Sequence, residues 1–83
     1  MERHYLRALK DAVRSMDFVD ERIFEETSAL DTAFDDAWYE SKPLDVDRVR
    51  RVREAIPEML SALSAAMGAI DFALTQHDEE SGK

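Results

Sequence analysis

Between Arg3 and Gln76 this chain has one clear turn, the stretch ESKPLDVD at 40–47. Pro43 disfavours helical geometry at Lys42, and Asp45 or Asp47 offers a side-chain cap for a helix that follows. The 83 residues hold only two Gly and two Pro, so little else interrupts regular structure. The reading is therefore all-α: two long helices joined at Pro43, forming one antiparallel hairpin domain over 1–77 with a polar, disordered tail at 78–83.

Helical periodicity supports both arms. In the first, Tyr5, Leu9, Ala12, Met16, Val19, Ile23, Leu30, Phe34 and Ala37 fall in one arc at 100° per residue. Leu9, Met16, Ile23, Leu30 and Ala37 keep a strict seven-residue spacing, which suggests coiled-coil-like packing. One helix from about Arg3 to about Tyr39 follows, roughly 55 Å long at 1.5 Å per residue. Ser28 with Asp31 resembles a capping box that could start a new helix, but Leu30 keeps the phase of Ile23, so continuity is expected. The second arm, Val46 to Gln76, has its core at Val49, Val52, Ile56, Met59, Leu60, Leu63, Ala66, Met67, Ile70, Ala73 and Leu74. Pro57 inside it predicts a kink near Arg53.

Charge is sorted along the chain. Residues 1–14 carry net +2, 15–47 net −9, 48–53 net +4 and 54–83 net −5, for −8 in all. Folding at Pro43 sets Arg48, Arg50, Arg51 and Arg53 beside Asp31, Asp35, Asp36 and Glu40, and the basic start beside the acidic end. Exposed pairs are worth less than about 1 kcal/mol each, so they select an arrangement without driving folding.

Two helices give each other a single seam, and a hairpin of this size is marginal alone. The second helix is apolar beyond that seam. Ala62, Ala65, Ala69 and Phe72 lie outside the expected core arc, and Ser61, Ser64, Gly68 and Asp71 form a strip of mostly small residues. Phe18 points away from the core stripe of the first helix. Spare apolar surface of this kind marks an interface, and the expectation is a homodimer in which two hairpins build a four-helix bundle. The residues assigned to self-association are Leu63, Met67, Ile70 and Leu74, with Gly68 and Phe72 on a second side.

Asp20 and Thr27 fall inside the apolar arc and are expected to be buried polar groups, with Asp20 bonded to Ser61 or Ser64. Asp17, Glu21, Glu25, Asp35, Asp36 and Glu40 form an acidic face suited to a basic protein partner. Carboxylates at such spacing can hold a hard cation, but Asp17, Glu21 and Glu25 point away from the core, and His4 and His77 make no Glu-x-x-His motif. Trp38 is expected to pack against the start of the second helix or to anchor a partner.

The acidic balance argues against direct nucleic-acid binding. No window of about 18 uninterrupted apolar residues suggests a membrane span, MERHYLRALKDAV does not read as a signal peptide, and the absence of cysteine fits a cytoplasmic setting. No phosphate loop or nucleophile–base pair is visible, and no cofactor is implied. The expected function is a non-enzymatic, acidic interaction and oligomerisation module. An acidic inhibitor that mimics nucleic acid on a basic surface is the alternative, and a carboxylate-bundle metal enzyme a more distant one.

Overall fold

The computed structural model describes residues 4–81, with side chains described for 5–80. It is an antiparallel hairpin of two helices, α1 (His4–Trp38) and α2 (Val46–Ser81), packed along their whole length in a rod of 66 × 15 × 15 Å. α1 passes through Thr27 and Ser28 without a break. The hydroxyl of Thr32 bonds back to the Ser28 carbonyl at 2.9 Å, so the polar run serves the helix from within. α2 contains Pro57 without being ended by it. The ring leaves the Arg53 carbonyl without its amide partner. α2 runs beyond Gln76, so the part of the expected disordered tail at 78–81 is helical; 82–83 lie outside the described residues.

The turn is built from its own residues. Tyr39 N–H closes on the Asp35 carbonyl at 2.8 Å, and Ser41 enters the left-handed region with φ 54°. Lys42 N–H then reaches back to the Asp36 carbonyl at 3.1 Å. Asp45 caps α2: its Oδ1 accepts from Arg48 N–H at 3.1 Å, a cap worth about 1 kcal/mol. Asp47 sits in the first turn, where its charge complements the helix dipole.

The seam differs from the expected one. On α1 it follows 5, 8, 12, 15, 19, 22, 26, 29, 33 and 36, all buried or partly buried, at alternating steps of three and four. On α2 it follows 48, 52, 55, 59, 62, 66, 69, 73 and 76 in the same rhythm. The buried residues are small, with Ala12, Ala33, Ala55, Ala66 and Ala73 each at 2–3% exposure and Val19, Val52 and Met59 beside them. Ala62 and Ala69, expected outside the core, are in the seam. The seven-residue row expected to be core lies outside it: Leu9, Met16, Ile23 and Leu30 are 38–51% exposed. The physical reason is reach. Alanine faces let two helices approach closely, and the larger rows then stand on the flank of the contact rather than within it.

Candidate functional site

The candidate site is that flank. In an antiparallel pair the rows next to the two seams on one side face the same way. Leu6, Leu9, Val13, Met16, Ile23, Leu30 and Phe34 of α1 therefore join Ile56, Leu60, Leu63, Met67, Ile70 and Leu74 of α2 in one apolar surface. All but Ile70, which is partly buried, are among the exposed large side chains. A groove of about 470 Å³ at the turn end shows the two rows meeting, because Leu30 and Phe34 of α1 line it together with Leu44 and Val49.

Of the residues assigned to self-association, Leu63, Met67, Ile70 and Leu74 come together on this flank. Gly68 and Phe72 do not: at 100° per residue they lie 140° and 180° around α2 from Leu63. A Cβ on Gly68 would meet nothing within 4 Å, so within the chain no neighbour requires glycine there. Asp20 and Thr27 are exposed, not buried. They sit on the flank, because the seam is displaced from the arc in which they were placed. Among the described residues no side-chain hydrogen bond from Ser61 or Ser64 reaches Asp20.

The charges also settle differently. The arginines of 48–53 do not pair with Asp31, Asp35, Asp36 or Glu40 among the described residues. Arg48 pairs with Asp45 at 3.4 Å, and Arg51 donates to the Asp47 carbonyl at 3.4 Å. The first turn of α2 is itself acidic and nearer than α1. Among the described residues the helices are joined by the ion pair Arg22–Glu58 at 2.9 Å, with Arg22 also held by Glu26 at 3.2 Å. It stands on the side of the seam away from the apolar flank.

Asp17, Glu21 and Glu25 are exposed on successive turns of α1, as is Asp35 near its end. Asp36 occupies a seam position and is partly buried, and Glu40 follows the helix. Lys42 contacts Glu40 at 3.1 Å. Its hydrogen bond, joined by one involving Asp36, holds the Glu40 carboxyl below the usual carboxylate range, and the same contact raises Lys42. Among the described residues no three His, Asp or Glu stand close enough to share an ion. The His77 ring packs edge-on against Tyr5 at 5.8 Å; the side chain of His4 lies outside those described. Trp38 stacks on Phe34 of its own helix at 6.0 Å, with Tyr39 against the same ring at 6.4 Å. Both Trp38 and Tyr39 are at least 70% exposed.

α2 holds an 18-residue window of mean hydropathy 1.2, long and apolar enough by composition to cross a membrane, and only 17% of that window is buried. Compared with protein-family models, curated proteins and solved structures, the chain matches none.

Proposed function

We propose that this chain is a non-enzymatic interaction module in which two hairpins, each with α2 bent at Pro57, pair through their apolar flanks as a homodimeric four-helix bundle. The acidic outer faces, Asp17, Glu21 and Glu25 on α1 and Asp35 and Glu40 near the turn, then remain free for a basic protein partner. The observation that carries the reading is the exposure of Leu60 and Met67 at 60% and 62% while the alanines beside them are buried. Burying a Leu or Met side chain fully contributes about 1.5–3 kcal/mol, and the hairpin forgoes about half of that along the flank, where the exposed side chains are 38–62% exposed. The area is adequate. A face of 66 by 15 Å is on the order of 1000 Å², against about 800 Å² per partner in a standard stable interface.

Sedimentation at micromolar concentration tests this. Dimer is expected, with Leu63→Asp and Met67→Asp each shifting the protein to monomer while helicity stays. A wild-type chain that remains monomeric and helical across that range refutes the reading. A chain that instead floats with neutral phospholipid vesicles assigns the flank to a membrane.

A further inference from the structure

We infer that the two hairpins pair turn to turn, with the two-fold axis along the rod, so that α1 of one chain lies across α2 of the other. The inference rests on the homodimer reading and adds its orientation. Within one chain, α1 and α2 residues stand level when their numbers add to about 81, as Arg22 with Glu58 and Tyr5 with His77 show. Packing flank against flank allows two dyads in the interface plane. One lies across the rod, putting α1 on α1 and the turns at opposite ends. The other lies along it, putting α1 on α2 and the turns together.

Rim charges suit both arrangements. Lys10 comes level with the partner's Asp71 in the turn-to-turn form and with the partner's Asp31 in the opposed form. Arg50 meets the partner's Asp31 in the first and the partner's Asp71 in the second. Asp20 separates the two. It is the acidic residue on the flank of α1 and stands next to the midpoint of His4–Trp38. In the opposed arrangement the dyad passes there and sets two Asp20 carboxylates against each other, beside Met16 and Ile23. Like charges taken out of water in that way are strongly unfavourable. Turn to turn, the two Asp20 side chains go to opposite edges of the bundle, and each lies near the level of the partner's Ser64, a hydroxyl donor at the rim.

The chain has no cysteine, so single labels are clean. Spin labels on Ser41→Cys, in the turn, and separately on Thr75→Cys, near the open end, are measured by double electron–electron resonance. With helices 8–10 Å apart, the turn-to-turn dimer gives about 20–30 Å at both sites. Distances near the length of the rod, 66 Å, with dimer still present by sedimentation, overturn the orientation and leave the dimer standing. Absence of dipolar coupling in a protein that sediments as monomer overturns both.

Discussion

Ala66 and Leu60 stand six residues apart on α2 and show how the contact divides its labour. Ala66 is 3% exposed and Leu60 is 60% exposed, the reverse of what side-chain hydrophobicity alone ranks. The small residue is buried because its size lets α1 come close, so enlarging it forces the helices apart. Ala66→Leu is expected to destabilise the hairpin by about 1–3 kcal/mol. Leu60→Ala is expected to leave a dissociated hairpin within about 0.5 kcal/mol of wild type. Urea unfolding followed by circular dichroism, on dilute protein, compares them, and equal losses for the two would contradict an alanine seam. The exposed positions of Asp20 and Thr27 follow from the same displacement, since the arc that held them was centred on the larger side chains.

At the scale of elements, what is most local is most secure. The α2 cap at Asp45 and the turn at Ser41 depend on a few neighbouring residues, and the stretch 40–47 announced them. The Glu40–Lys42 pair belongs to this level. Its contribution is present through the middle of the pH range and is lost only towards the two ends. Glu40, with its lowered folded value, contributes above the ordinary Glu range and loses that contribution as pH falls through the lowered value. Lys42, raised, contributes below the ordinary Lys range and loses it as pH rises through the raised value. Lys42→Ala is expected to move the Glu40 titration upward in an NMR pH series, with little change in Tm at neutral pH because the pair is solvent-exposed. A Glu40 titration that does not move would show that Lys42 is not what holds the carboxyl low.

For the whole molecule, the rod has no buried polar side chain and no large side chain fully buried among the described residues. An isolated hairpin of this kind has one narrow alanine seam to set against the entropy of ordering its chain. Pairing through the flank couples stability to concentration. For a two-state dimer of this length, Tm is expected to rise by about 4 °C for each tenfold increase in protein concentration. A calorimetric Tm that stays constant over a hundredfold range would mean that the flank has no second copy on it in solution.

Two helices, their antiparallel order and the site of the turn were legible in the residues, because period, proline and capping are local properties of the chain. Which edge of each apolar arc became the seam was not. Leu9, Met16, Ile23 and Leu30 repeat every seven residues and dominate any hydrophobic pattern. The finer rhythm of Ala8, Ala12, Ala29 and Ala33 against Ala55, Ala62, Ala66, Ala69 and Ala73 was present too, but it is quieter on a hydrophobic scale. Periodicity states that a face is apolar. How near two backbones come depends on both faces at once, so only the packed pair could decide that the small edges meet and the large ones are left over.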